Sequence, residues 1–204
     1  MGFYSRVIFP RLCEWVMRDP KMAGLRSEAL AQVRGEVIEI GFGTGLNLDH
    51  YSSQVRRIVA VDPGEGMNRL ARKRIVQSRI EVDLHSRSAE RLAFEEETFD
   101  WVVSTWTLCS VPDVTQAVSE VYRVLRPGGR FVFVEHGLSD DPSIQRWQRR
   151  LNPIQRLIGD GCRLDVDVDA VIRSQPFRTV AVDRFLFDNT PRTHGSMYRG
   201  VATK

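Results

Sequence analysis

Cysteine and histidine are scarce in this chain of 204 residues, and both are widely scattered. The residues concerned are Cys13, Cys109, Cys162, His50, His85, His136 and His194. An odd number of distant thiols without a C-x-x-C pair is typical of a reducing compartment, so a cytoplasmic location is expected. No spacing among these residues resembles a zinc motif, and the sequence therefore predicts no metal ligands.

The sequence also lacks a long apolar run and a block of like charge. Its first 17 residues are interrupted by Arg6, Arg11 and Glu14, so they are too charged for a membrane span or a secretory signal. The net charge is only +3, and the basic residues are scattered, which argues against a nucleic-acid-binding module. With 42% hydrophobic and 27% charged residues, residues 1–204 are predicted to form one globular domain.

The most informative stretch is residues 37–45, a short apolar strand that leads through Glu39 into a glycine-rich turn. Its glycines occupy alternate positions, Gly41, Gly43 and Gly45. Glycine allows main chain to approach a ligand closely, as a nucleoside-binding turn requires. A dinucleotide fingerprint would place its third glycine where Leu46 stands, and the Glu39 carboxylate would repel a pyrophosphate. The turn therefore favours a cationic nucleoside over NAD.

A second acid follows the next apolar strand. Residues 57–61 are apolar and β-branched and end at Asp62, about 20 residues beyond the glycines, where an α/β nucleoside site places its ribose-binding carboxylate. We predict that Asp62 accepts hydrogen bonds from ribose hydroxyls. The alternative is that it only caps the helix that begins near Pro63.

Strand and helix patterns alternate along the chain. Strands are predicted at 37–40, 57–61, 80–85, 100–105, 130–135, 179–187 and 197–202, and helices up to about 33 and near 46–52, 65–76 and 114–125. Such βαβ units build a parallel sheet with helices on both faces. The last two strands are close enough in sequence to form a hairpin around residues 189–191.

Two later motifs complete a family pattern. Residues 99–104 read F-D-W-V-V-S, and residues 125–130 read L-R-P-G-G-R. Together with the glycine turn, they resemble the class I S-adenosylmethionine-dependent methyltransferases, in particular the ubiquinone/menaquinone-type and thiol methyltransferase-like enzymes. The resemblance implies an α/β, Rossmann-like seven-stranded sheet that is mostly parallel, with an antiparallel C-terminal strand and helices on both faces.

The resemblance also implies S-adenosylmethionine as cofactor and a set of residues that hold it. Those positions are Glu39, Gly41, Phe42, Gly43, Thr44, Gly45, Asp62, Met67, Ser88, Ala89 and Thr105. Glu39 would lie near the ammonium group, and Asp62 would bind the ribose diol. Met67 would either cover the adenine or belong to the core. The family usually has an acid where Ser88 stands, so the adenine amino group would be bound by the serine hydroxyl or by main chain at Ala89.

The reaction that the resemblance implies is methyl transfer to a small or lipophilic acceptor: a thiol, a quinone precursor or a phospholipid amine. The donor is already activated, so a dedicated base is not required. His136 and Tyr4 are the predicted catalytic candidates, although His136 also suits a structural hydrogen bond. Cys109 and Cys162 are more typical of buried apolar positions. The alternative function is a nucleoside-binding regulatory module without turnover.

Two segments are predicted to cap the acceptor pocket. Residues 1–33 begin with an aromatic stretch, and residues 138–175 include an amphipathic basic segment whose helix Pro153 is expected to limit. Such a segment either packs on its own domain or lies on a membrane surface. We expect the cap, with membrane binding as the alternative.

Overall fold

The computed structural model describes residues 2–204, so Met1, the first residue of the predicted cap segment 1–33, lies outside it. The strands are β1 (Val37–Ile40), β2 (Arg57–Val61), β3 (Glu81–His85), β4 (Phe99–Thr105), β5 (Leu125–His136), β6 (Thr179–Leu186) and β7 (Ser196–Thr203). The helices are α1 (Phe9–Met17), α2 (Pro20–Leu30), α3 (Glu65–Gln77), α4 (Val114–Val124), α5 (Pro142–Ile158) and α6 (Val168–Arg173). A π-helical turn spans Tyr4–Ile8, and two 3-10 turns span Leu46–Asp49 and Leu108–Ser110.

The strands form one sheet in the order β3-β2-β1-β4-β5-β7-β6. Strands β1 to β5 pair in parallel, and β7 runs antiparallel to both β5 and β6. This confirms the predicted seven-stranded, mostly parallel sheet with an antiparallel strand and the predicted C-terminal hairpin. The chain order reverses between β1 and β4, so the carboxyl ends of these central strands border a crevice.

The core lies on both faces of the sheet because the central strands are buried on each side. On one face, Ile38 and Phe131 pack with the apolar stripe of α4, which includes Val118 and Val121. On the other face, Trp101 packs with residues from α2 and α3. Strand β1 is buried at all four positions, as expected for a parallel strand covered by helices on both sides.

Two local predictions are wrong. The helix expected near 46–52 is only the 3-10 turn Leu46–Asp49, which begins after Gly45 with φ +80°. Helix α5 continues through Pro153 to Ile158, because a proline removes a single backbone donor and the helix is fixed by side-chain contacts before that point. Gln148 donates to the Gly137 carbonyl (3.0 Å), and Asn152 accepts from the Leu164 amide (2.8 Å).

Among residues 2–204, none of the helices has both the length and the apolar character needed to cross a membrane.

Candidate cofactor and acceptor site

A cavity of about 360 Å³ opens at the carboxyl ends of β1, β2 and β4. Ten of the eleven predicted cofactor residues line it: Glu39, Gly41, Phe42, Gly43, Thr44, Asp62, Met67, Ser88, Ala89 and Thr105. Gly45 is the exception, since it starts the following 3-10 turn in a left-handed conformation. The size of the cavity is typical of small-molecule sites.

Two glycines of the turn, Gly41 and Gly43, are required for different structural reasons. Gly41 has φ +67°, and a Cβ there would lie 2.0 Å from Thr107 Oγ1, so this glycine allows the loop after β4 to pack against the turn. Gly43 has φ +58°, but a Cβ there would meet only the Gly41 carbonyl, at 3.8 Å. The absent side chain of Gly43 therefore leaves open space in the cavity, as expected where main chain lies against a ligand.

Asp62 connects the glycine turn to the loop after β2. Its Oδ2 accepts from the Gly43 amide at 2.8 Å, and its Oδ1 accepts from the Gly64 amide at 2.7 Å. Burial raises the pKa of this carboxyl, while the two amide bonds favour its ionised form. Each oxygen keeps a further lone pair, so the carboxylate can still accept from a diol in the cavity.

Glu39 lies deeper, at the end of the buried strand β1. Asn47 Nδ2 donates to its Oε1 at 3.0 Å, and the Tyr51 hydroxyl donates to its Oε2 at 2.5 Å. Burial raises the pKa of Glu39 to about 7, although both hydrogen bonds and the charge of Arg26 act in the opposite direction. A cation in the cavity would favour the ionised form.

Arg26 of α2 also lines the cavity, and no sequence motif marks it. Its side chain is only 3% exposed, its guanidinium lies 4.7 Å from the Trp106 ring centroid, and Nη1 donates to the Met17 carbonyl at 2.9 Å. Nε has no hydrogen-bond partner within the described chain. Burial lowers the pKa of Arg26 to about 10, so the group remains cationic at neutral pH and suits an anionic ligand group.

The far side of the cavity carries the residues predicted for adenine. Ala89 and Met67 supply apolar walls, and the Ser88 hydroxyl donates to Glu90 Oε2 at 2.7 Å. The Ser88 oxygen also accepts from the Glu90 amide at 3.2 Å, so one of its two lone pairs remains for an amino group. The acid expected at position 88 is thus replaced by a serine that a neighbouring acid orients.

The loop after β4 is anchored by a buried carboxylate. Glu135 accepts from Ser104 Oγ at 2.6 Å and from the amides of Thr107 and Leu108 at 2.8 and 3.1 Å. These bonds hold Trp106, which lines the cavity and has a left-handed φ of +51°. A non-glycine residue in that region needs such support from its surroundings.

The two predicted catalytic residues lie outside the cavity lining. His136 Nε2 is 3.0 Å from Cys162 Sγ, and the Tyr4 hydroxyl donates to the Ile158 carbonyl at 2.5 Å. Their catalytic roles stay predictions. In these positions His136 belongs to a cluster behind the loop after β4, and Tyr4 joins the N-terminal segment to the end of α5.

Helix α1 covers the glycine turn. Arg74 of α3 pairs with Glu14 of α1 and donates from Nη1 to the Thr44 carbonyl at 2.7 Å, so one guanidinium holds α1 on the turn. The cavity-facing residues of α1 are Phe9, Cys13 and Met17. Ser5 Oγ donates to Asp160 Oδ1 at 2.7 Å, which gives a second contact between the N-terminal segment and the chain after α5.

Comparisons with known proteins agree with this geometry. Residues 38–133 match a family described as "Methyltransferase domain". A thiol S-methyltransferase of Rattus norvegicus is 30% identical over 178 residues, which cover 80% of this chain and 71% of the relative. A phosphatidylethanolamine N-methyltransferase of Cereibacter sphaeroides is 34% identical over 127 residues, 61% of this chain and 62% of the relative.

Among solved structures, a methyltransferase from Thermotoga maritima, described as a possible histamine N-methyltransferase, aligns with a TM-score of 0.70 at 21% identity and covers 98% of both chains. This likeness shows the fold, and the 30% identity to the Rattus norvegicus relative over 71% of its length shows that the chain belongs to the S-adenosylmethionine-dependent methyltransferases. S-adenosylmethionine is its cofactor, and the cavity fits that molecule in three respects: open space beside Gly43, a carboxylate at Asp62 and an unpartnered guanidinium nitrogen at Arg26.

Proposed function

We propose that the protein transfers a methyl group to the sulfur of a small lipophilic thiol. The observation that carries this proposal is the chemistry of the cavity wall. Within residues 2–204 the lining contains neither histidine nor lysine. Its carboxylates at Glu39 and Asp62 each already accept two hydrogen bonds. The third carboxylate of the lining, Asp160, accepts from the Ser5 hydroxyl. A thiol suits such a site because its unperturbed pKa, about 8.5, is low enough for it to ionise without a strong base.

Arg26 supports the same conclusion. Its cationic guanidinium lines the cavity between Trp106 and Met17, and a nearby positive charge lowers the pKa of a thiol. Bound S-adenosylmethionine supplies an electrophilic methyl group on a sulfonium. The protein then has to align the sulfur with that methyl group and to exclude water.

We further propose that residues Glu39, Asp62, Ser88 and Ala89 hold the cofactor in the orientation that the family resemblance implies. Asp62 binds the ribose diol, Ser88 and Ala89 bind the adenine edge, and Glu39 lies at the ammonium end. The relative positions support this orientation, because Asp62 adjoins the turn at Gly43 while Glu39 lies beneath it at the end of β1. Trp106 and the α1 residues Phe9, Cys13 and Met17 line the rest of the cavity.

The cap is the second part of the proposal. Phe9 and Met17 of α1 line the cavity, and the hydroxyls of Tyr4 and Ser5 bind the chain at Ile158 and Asp160. The two predicted cap segments, residues 1–33 and 138–175, therefore contact each other beside the cavity. We propose that they close together over the acceptor and exclude water from the reacting sulfur.

A phospholipid amine is the second candidate acceptor, and one surface feature favours it. Large apolar side chains are exposed on α1 and α5, including Trp15 (76% exposed), Trp147 (54%) and Leu157 (76%). Arginines on α5 accompany them, and apolar side chains beside basic ones are typical of surfaces that bind anionic membranes. Membrane contact would deliver a lipid acceptor to the cap. A cytoplasmic location also stays a prediction, supported by cysteines that are all free.

The experiment is a methyl-transfer assay with labelled S-adenosylmethionine and four acceptors presented in parallel: an aliphatic thiol, its alcohol analogue, a demethylated quinone and phosphatidylethanolamine vesicles. We expect label on the thiol and none on the alcohol. Label on phosphatidylethanolamine alone would replace the thiol by the second candidate. The absence of transfer to all four, with S-adenosylmethionine binding intact, would contradict the acceptor proposal and favour a module without turnover.

A further inference from the structure

Three side chains that are far apart in sequence meet behind the loop that follows β4. Cys109 lies in the 3-10 turn Leu108–Ser110, His136 is the last residue of β5, and Cys162 follows α5. Neighbouring strands β4 and β5 bring the first two together, and the Arg163 amide donates to the Cys109 carbonyl at 2.8 Å, which holds the third beside them. The ligand atoms of the three residues all lie within 4.8 Å of one another.

We propose that Cys109, His136 and Cys162 form a binding site for a thiophilic d10 cation such as Zn²⁺. Two thiolates and one imidazole are among the protein ligand sets that zinc prefers. Two thiolates also neutralise a dication, so the ion can be held in a largely buried place without a net charge. The site is separate from the cofactor cavity, because none of the three residues belongs to the cavity lining.

The distances support a shared ion more than a disulfide. A tetrahedral zinc with Zn–S of about 2.3 Å and Zn–N of about 2.0 Å separates two sulfurs by about 3.8 Å and a sulfur from a nitrogen by about 3.5 Å. In the structure Cys162 Sγ lies 3.6 Å from Cys109 Sγ and 3.0 Å from His136 Nε2. An ion would therefore require the imidazole nitrogen to move about 0.5 Å away from Cys162 Sγ, and the third pair, Cys109 Sγ and the His136 nitrogen, lies within 4.8 Å.

A disulfide accounts for less of this arrangement. It would require the two sulfurs to approach to about 2.05 Å, and it would leave unexplained why an imidazole nitrogen points at one of them. The Gln155 amide extends the same cluster, with its Nε2 3.5 Å from Cys162 Sγ and its Oε1 3.2 Å from His194 Nε2. Three protein ligands leave the fourth position of a tetrahedral ion to water or to this amide.

The consequence of metal binding follows from where Cys109 lies. Its neighbours Thr107, Ser110 and Val111 line the cavity, so an ion held by Cys109 would fix the loop that forms the acceptor end of the cavity. Cys162 would be fixed at the same time, together with the chain after α5 that contacts Ser5 through Asp160. The ion would thus join the loop after β4 to the cap.

The test is a metal titration of the intact protein after chelation and reduction. Zn²⁺ is titrated in competition with a chromophoric chelator, and Co²⁺ is added separately to detect thiolate-to-cobalt charge-transfer absorption. The variants are Cys162→Ser and His136→Gln, and Cys13→Ser is the matched control because it removes the one thiol outside the cluster. We expect one equivalent of Zn²⁺ in the wild type and in Cys13→Ser, and a loss of affinity of roughly a hundredfold or more in the other two.

A second measurement needs no variant. Zn²⁺ should protect Cys109 and Cys162 of the wild-type protein from alkylation, as read by peptide mass spectrometry, by much more than it protects Cys13. The proposal is overturned if the wild type binds no stoichiometric Zn²⁺, if Cys162→Ser binds it as tightly as the wild type, or if Zn²⁺ protects neither thiol. A Cys109–Cys162 disulfide formed in air by a protein that does not bind Zn²⁺ would identify a redox pair instead.

Discussion

Gly43→Ala should weaken cofactor binding while the fold survives, and Gly128→Ala is its matched control. Both glycines have positive φ, +58° and +79°, and a Cβ at either position meets no protein atom closer than 3.8 Å. Each substitution should therefore cost about 1–2 kcal/mol of stability for a left-handed alanine. Only the new methyl group at position 43 enters the cavity.

The extra methyl group at position 43 overpacks the contact between main chain and cofactor, which typically costs about 1–3 kcal/mol. The dissociation constant for S-adenosylhomocysteine should therefore rise by roughly fivefold to over a hundredfold in Gly43→Ala and stay near the wild-type value in Gly128→Ala. Titration calorimetry measures the affinities, and urea unfolding checks that both variants lose similar stability. Equal affinities in the two variants would show that the glycine turn is only a turn.

Two further predictions concern Glu39 and the cap. Burial raises the pKa of Glu39 to about 7, so its contribution to stability is greatest below the unfolded-state pKa and is lost as the pH rises through 7. In urea unfolding of the cofactor-free protein, the free energy of unfolding of Glu39→Gln relative to the wild type should therefore increase by up to about 3 kcal/mol between pH 4.5 and 7. Parallel pH profiles of the two proteins would refute this. Replacing Tyr4 by Phe and Ser5 by Ala removes two hydrogen bonds between the cap segments, each of which contributes about 1 kcal/mol. The rate of methyl transfer should fall by up to roughly thirtyfold, and cofactor affinity should be retained. Full activity of the double variant would show that these bonds do not close the cap.

The sheet, and the meeting of most of the predicted cofactor residues at one cavity, were predictable because they depend on local patterns. Apolar strands that end in glycine or acid, such as 37–45 and 57–62, place their last residues at one edge of a parallel sheet. The helix expected near 46–52 failed for a local reason as well. Gly45 takes a left-handed conformation, and Asn47 turns inward to bind Glu39, so the chain forms only a 3-10 turn.

Features that depend on distant contacts were not predictable. Arg26 lies on a helix with mixed composition, and only the packing of α2 beside Trp106 shows that its guanidinium reaches the cavity. The cluster of Cys109, His136 and Cys162 was not predictable for the same reason. These residues are 26 or more positions apart in sequence and meet only in the folded chain.

The most direct test of the account is a calorimetric titration of the wild type and Asp62→Ala with S-adenosylhomocysteine, and of the wild type with NAD. Asp62 Oδ2 lies 2.8 Å from the Gly43 amide at the edge of the cavity, and loss of a charge-assisted bond costs about 1.5–3 kcal/mol. We predict one site in the wild type, an affinity reduced roughly tenfold to a hundredfold in Asp62→Ala, and no binding of NAD. Unchanged affinity in the variant, or tight binding of NAD, would contradict the assignment of the cavity.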